Sequence, residues 1–285
     1  MPKYTIGYAS LTEAMPSVAY RTQTLIEAAA AHSADIDLIV RDNDLNDDHA
    51  LANARFFAEQ GVDLVIMFHI NERLGSQLHS ELLTTPIIAV DVPIPFAHYF
   101  GADNAYAGQL VGEALGHWVA THWDGTLNRL LILTDSRVTS VVRERTDNAL
   151  AALRDVVRVP NEAILHLDGG STTQTSYERT VDLLPRWAHH ERIAVITAND
   201  EMAFGALQAF TEAGRENDVV LSGQGANQEI RDHLAGPNPR IIASTDYRLE
   251  QYGPMLIDLA VRILRKERVP VKTYVDHVCV TLANR

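Results

Sequence analysis

Short apolar runs recur along the chain, separated by longer stretches in which apolar residues return every three or four positions. The runs Tyr4–Ala9, Asp37–Val40, Leu64–Phe68, Ile87–Val90, Leu130–Leu133, Ala163–Leu167, Ile193–Thr197, Val219–Ser222 and Ile241–Ala243 predict strands. Most are continuous rather than alternating, as expected of parallel strands covered on both faces. Helices are predicted over 17–32, 47–60, 73–82, 105–121, 141–154, 174–187, 200–213, 227–234 and 248–266. In the stretch 200–213, Met202, Ala206, Leu207, Phe210 and Ala213 recur at spacings of three and four and share one apolar face. Strand–helix alternation of this kind predicts doubly wound α/β sheets, and so many units divide best into two sheets. A seam is expected near Gly101–Asn104, where a polar, glycine-containing segment precedes a new helix. The last predicted helix ends in Arg265-Lys266-Glu267-Arg268, charges suited to a helix C-terminus, and Pro270 follows as a stop. A strand-like run, Thr273–Leu282, closes the chain.

Composition narrows the class. Of 285 residues, 46% are hydrophobic and 21% charged, which excludes disorder as the dominant state and suits two domains. The net charge of −13 gives an acidic surface that repels a phosphate backbone, so no direct nucleic-acid contact is expected of this chain. The lone Cys279 excludes an intramolecular disulfide and a cysteine-rich zinc site. No apolar run approaches the roughly 18 residues of a membrane span. Met1-Pro2-Lys3 leads directly into the first strand with no leader pattern. The chain is therefore expected either to be cytoplasmic or to be a mature form made without its leader.

In open α/β sheets, ligands bind beyond the carboxyl ends of the strands. The segments there are Ser10–Glu13, Phe68-His69, Asp91, Asp135-Ser136 with Arg143 beyond, Asp168, Asn199-Asp200, Gln224 and Asp246-Tyr247. They are rich in hydroxyl, amide, carboxylate and guanidinium groups and poor in nucleophiles with an obvious base. Gly223-Gln-Gly225 lacks the third glycine of a dinucleotide fingerprint, and no Walker A, nucleophile-elbow or His-Glu-x-x-His motif is present. No cofactor is called for, and no catalysis is expected. His69 reads either as pocket wall or as a structural hydrogen-bonder. Asn199 and Asp200 stand where a helix N-cap belongs, and capping is compatible with ligand contact. Arg143 near a helix start opposes the macrodipole, which points toward a ligand or carboxylate. Asp135, Asp168 and Asp200 could in principle coordinate Mg²⁺ in an enzyme; solvated loop acids are the plainer reading.

Several segments carry a resemblance: Thr5–Ser10, Gln60–Ile66, Gly101–Gly108 with Gly112, Arg143–Arg145 and Ala198–Leu207. Taken in order, they resemble the type I periplasmic-binding-protein superfamily. The likeness is to the ribose-binding-like sugar-binding proteins and to the effector domains of lactose-repressor-type regulators. It implies an α/β fold of two Rossmann-like lobes with parallel sheets, joined by three crossovers and enclosing a ligand cleft between the lobes. Carried over, residues 1–104 plus 248–270 form the N-terminal lobe and 105–247 plus 271–285 the C-terminal lobe, with Asp103–Ala105 and Thr245–Arg248 as hinge. The implied sugar contacts are Ser10 and Glu13 in the first loop, Asp91 accepting from hydroxyls, Arg143 donating, Tyr177 stacking, Asn199, Gln224 and Tyr247, with Asp246 the alternative to the last. No metal site is implied.

Departures from the pattern bear on the ligand. Met15-Pro16-Ser17 replaces paired aromatics, Val92 stands where an arginine often follows the first carboxylate, and Gln224 replaces a carboxylate. The pocket is thus expected to lose stacking surface and formal charge of both signs, leaving a small polyhydroxylated ligand, a sugar or polyol. The resemblance implies a solute-binding protein presenting that ligand to the membrane subunits of an ATP-driven (ABC) importer, periplasmic or otherwise extracytoplasmic. The alternative it leaves is a cytoplasmic regulator's ligand-sensing domain without its DNA-binding module.

Overall fold

The computed structural model describes residues 3–136 and 140–284. Met1 and Pro2, residues 137–139 after Asp135-Ser136, and Arg285 lie outside them. In chain order the elements are β1 (Lys3–Ser10), α1 (Pro16–Ala31), β2 (Asp35–Asp42), α2 (Asp47–Gln60), β3 (Leu64–Phe68), α3 (Gly75–Glu81), β4 (Ile87–Val90), β5 (His98–Gly101), α4 (Asn104–His122), β6 (Arg129–Thr134), α5 (Ser140–Val156), β7 (Ile164–Asp168), α6 (Thr173–Leu183), β8 (Ile193–Thr197), α7 (Asp200–Glu212), β9 (Val219–Gly225), α8 (Gln228–Ala235), β10 (Ile241–Asp246), α9 (Tyr252–Leu264), β11 (Lys272–Tyr274) and β12 (Val278–Thr281).

The chain divides into two compact units, Met1–Ala102 with Arg248–Asp276, and Asp103–Tyr247 with His277–Arg285. The first holds a parallel six-stranded sheet in the order β11-β5-β4-β3-β1-β2. The second holds six strands in the order β12-β10-β9-β8-β6-β7, parallel except that β12 runs antiparallel to β10. Residues 103–104 and 271–276 therefore depart from the expected division. β11 pairs with β5 in the first unit, and only β12 returns to the second.

Both faces of each sheet are covered, which is why the central strands read as unbroken apolar runs. In the first unit Ile6, Tyr8, Leu64, Ile66 and Phe68 pack on α1 and α9, while Val65, Met67 and Ala89 pack on α2 and α3. The second sheet is likewise sandwiched by two apolar layers. Side chains close the helix starts: Asn46 caps α2, Asp103 α4, Thr172 α6, Asn199 α7 and Asn227 α8.

Candidate functional site

Each sheet has a switch point where the strand order reverses, between β1 and β3 in the first unit and between β6 and β8 in the second. Crevices at such points, beyond the carboxyl ends, are where open α/β sheets take ligands. In the first unit Ser10 ends β1, and His69 and Asp91 directly follow β3 and β4. Pairing of Ala9 with Met67 and of Phe68 with Val90 brings the three to one edge of the sheet.

Asp91 adopts a left-handed backbone, φ 59°, and its N–H donates to the Phe100 carbonyl at 2.9 Å. A Cβ on Gly101 would come within 3.1 Å of the Asp91 backbone, so only glycine permits this approach. The Asp91 carboxylate accepts from Arg21 Nη1 at 2.7 Å and from the Tyr252 hydroxyl at 3.1 Å. Arg21 itself lies between two aromatic faces, 4.9 Å from the Phe68 centroid and 4.8 Å from that of Tyr252. Burial alone would lower its pKa, but Asp91, Tyr252 and Tyr8 outweigh it and hold the guanidinium charged.

Ser10 Oγ is buried without a hydrogen-bond partner among the described residues, and so are both ring nitrogens of His69. Burial pushes the His69 pKa down to about 4, keeping the ring neutral near pH 7. Its reading as a structural hydrogen-bonder thus finds no support among the described residues. Glu13 is half-buried and braces the first loop. Its Oε1 accepts from Thr22 Oγ1 at 2.6 Å and its N–H donates to Asp42 at 3.0 Å.

In the second unit Asn199 is the α7 cap. Its Oδ1 accepts from Met202 N at 2.9 Å, and its Nδ2 donates to the Ser171 carbonyl at 2.9 Å. Asp200 turns inward, accepting from Ser244 Oγ at 2.7 Å and Asn227 N at 3.0 Å, and burial raises its pKa to about 6. Asp168 caps its own turn through Gly170 N at 3.0 Å. Among the described residues no three His, Cys, Asp or Glu side chains group as a metal site would require.

The structure joins Gln224, Tyr247 and Arg145. The Tyr247 hydroxyl donates to Gln224 Oε1 at 2.6 Å, and Gln224 Nε2 donates to the Ala107 carbonyl at 3.2 Å. Arg145 lies over the Tyr247 ring at 4.8 Å, with Nε donating to Asn104 Oδ1 at 2.6 Å and Nη1 to the Ala198 carbonyl at 3.2 Å. Arg143, two residues earlier on α5, is exposed. Asp246 is paired with Arg231 at 2.6 Å.

Tyr177 stands apart from these groups. Its hydroxyl donates to Glu212 Oε2 at 2.5 Å, at the far end of α7 from Asn199, roughly 18 Å along the helix axis. It lines a shallow concavity with Val181, Leu184, Ala209 and Arg215. The structure does not bring it to the strand-end cluster.

Two participants escape the sequence reading. Arg145 is overshadowed by Arg143 in the same motif, although the half-buried side is its own. Arg21 gives no local signal, because its partner lies 70 residues away. It also corrects the expectation that positive charge is lost at position 92: Val92 is buried, and α1 supplies the guanidinium to Asp91 instead.

Two α/β units, each round a six-stranded sheet that is wholly or largely parallel, give the chain the fold of the type I periplasmic binding proteins. The chain belongs to the family described as periplasmic binding protein domain, whose profile matches residues 18–268. The ribose import binding protein of Escherichia coli K12 is 25% identical over 249 residues, covering 84% of this chain and 78% of that protein. A candidate rhizopine-binding protein of Rhizobium meliloti is 36% identical over 114 residues, a match spanning 38% of this chain and 36% of that protein. Among solved structures, an ABC transporter solute-binding protein of Bacillus halodurans C-125 with bound myo-inositol superposes with TM-score 0.82 at 18% identity, covering 98% of this chain and 95% of that one.

Proposed function

We propose that the protein is a solute-binding protein that captures a neutral, polyhydroxylated small molecule, a sugar or cyclic polyol, outside the cytoplasm and hands it to the membrane subunits of an ABC importer. The observation that carries this reading is the first unit's strand edge. Asp91 is fixed as an acceptor, Arg21 as a donor, and Ser10 and His69 are desolvated polar groups with no hydrogen-bond partner among the described residues. Leaving such groups unsatisfied costs about 1–3 kcal/mol each, which a hydroxylated ligand or ordered water would recover. Gln224, Tyr247 and Arg145 give the second unit a matching set of amide, phenol and guanidinium groups. The relatives named for ribose import and the neighbour holding myo-inositol support the same ligand class. In this reading binding is reversible, with no covalent chemistry, and the ligand selects one of the conformations available to the protein.

Thermal melts against pentoses, hexoses, inositols and nucleosides test it. At 1,000-fold excess over Kd a cognate sugar or polyol contributes about 4 kcal/mol. For a chain of this length that raises Tm by roughly 7 °C. A shift confined to nucleosides, or none with any compound, overturns the sugar reading.

A further inference from the structure

We propose that Arg21, brought in from α1, sets ligand specificity in the first unit by donating to an oxygen adjacent to the hydroxyl that donates to Asp91. The proposal rests on the solute-binding reading above and names the feature that the site would recognise: two neighbouring oxygens, a vicinal diol or a hydroxyl beside a ring oxygen.

How the donors are used carries the inference. A guanidinium has five N–H donors, and one serving only the fold spends them on the protein. Arg215 does so. It is buried, and it donates from Nε to Asp218 at 3.1 Å, from Nη1 to the Leu184 and Trp187 carbonyls at 3.2 and 3.1 Å, and from Nη2 to the Ala188 carbonyl at 2.6 Å. Arg21 has a single acceptor among the described residues, Asp91 Oδ2 at 2.7 Å. Its Nε is buried and unsatisfied, and no acceptor among the described residues reaches Nη2. Both side chains of the pair nevertheless keep 15% of their surface open.

The aromatic clamp adds a second point. Phe68 and Tyr252 each turn a face to the guanidinium, at 4.9 and 4.8 Å, which favours its charged form beside Asp91. Residues 15–17, where the resemblance implies stacking aromatics, are Met-Pro-Ser. The first unit is therefore equipped to read a ligand by charge-assisted hydrogen bonds, which are directional and roughly twice as strong as neutral ones. Each Asp91 oxygen accepts one protein bond and keeps a lone pair for a ligand hydroxyl.

The test is calorimetric titration of the wild-type chain, R21K and R21L with D-ribose, D-allose, D-galactose and myo-inositol, followed by monodeoxy analogues of whichever compound binds. Circular dichroism and a cooperative melt of each unliganded variant establish that it is folded. R21L is expected to weaken binding on the order of 100-fold, the scale for removing a charged donor to a ligand oxygen. One monodeoxy analogue should lose at least about tenfold against the wild type and nothing further against R21L, because the group that reads the missing oxygen is already gone. R21K, which keeps a charge beside Asp91 but not the fork, should fall between the two with the same analogue pattern, and it carries the test if R21L does not fold. Wild-type affinity in folded variants, or deoxy penalties carried over unchanged into R21L and R21K, overturns the assignment of Arg21 while leaving the solute-binding reading intact. Failure of every panel compound to bind the wild type removes the sugar reading, and this assignment with it.

Discussion

Burial with no hydrogen-bond partner among the described residues lets the fold control the charge of His69. Its pKa falls from 6.5 to about 4 on folding, so between those values the unfolded chain binds the extra proton and stability declines as pH falls. Asp200 acts in the opposite sense over nearly the same range. Its pKa rises from 3.8 to about 6, and the folded state takes up the proton first. The two largely offset each other in the wild type, and the His69 contribution emerges only by difference. The stability gap between wild type and His69→Gln, measured by urea unfolding, is expected to shift by about 2 kcal/mol in favour of the variant between pH 7 and pH 5. A gap that stays constant would mean the histidine is protonated, or finds a partner, in the folded protein. At this scale the sequence reveals what the strand-end rule reaches: Ser10, Asp91, Gln224 and Tyr247 all stand just where a strand stops. It leaves Asn199 open between cap and contact, and the structure shows both ends of that amide engaged by the protein. Arg21 was not legible, because an arginine in an amphipathic helix looks like any solvent-facing residue until the fold brings it to Asp91.

Among elements, α4 and α5 show most clearly how backbone proximity serves the site. Gly108, Gly112 and Gly116 recur every fourth residue along α4 and face α5 directly. A Cβ on Gly112 would fall within 2.7 Å of Ala149 Cα and closer still to its carbonyl oxygen. One on Gly108 would strike the carbonyl of Arg145, whose side chain lies over Tyr247. The helix-propensity gain of alanine, up to about 1 kcal/mol, is thus outweighed by moving a packed helix. Gly112→Ala is expected to destabilise the protein by roughly 2 kcal/mol in denaturant melts, and an unchanged or raised midpoint would contradict this packing. The long helices were readable from periodicity and the central strands from unbroken apolar runs, because both kinds of element bury enough side chains to mark the sequence. β5 was not, since His98 and Gly101 leave only Tyr99 and Phe100 as an apolar signal. The closing run Thr273–Leu282 reads as one strand but folds as β11 and β12, in different sheets, with the non-strand stretch 275–277 between them. Three- and four-residue strands are too short for their pattern to show where pairing changes.

For the whole molecule, the decisive fact is that the first unit is assembled from two separated stretches of chain. One of its two apolar layers takes Tyr252, Leu256, Ile257, Leu259, Ala260 and Val275 from the second stretch. Gly253 lets α9 lie directly on the backbone of Thr24 in α1. A fragment of residues 1–102 should consequently lack a cooperative thermal transition and near-ultraviolet dichroism, and joining residues 248–276 to it through a short linker should restore both. A cooperative melt of 1–102 alone would show that α9 is dispensable. The repeated strand–helix pattern made two sheets legible, but the resemblance alone assigned α9 to the first unit. The same arrangement has a consequence for how the protein is made. As the ribosome extends the chain, α1 must wait for Tyr252 and the rest of α9 while the 220 intervening residues 32–251 are added, on the order of ten to forty seconds at ordinary elongation rates. The second unit can complete most of its sheet in that interval. Arg21 and Asp91 acquire Tyr252, and with it the completed strand-end cluster, only after the intervening second unit has been made.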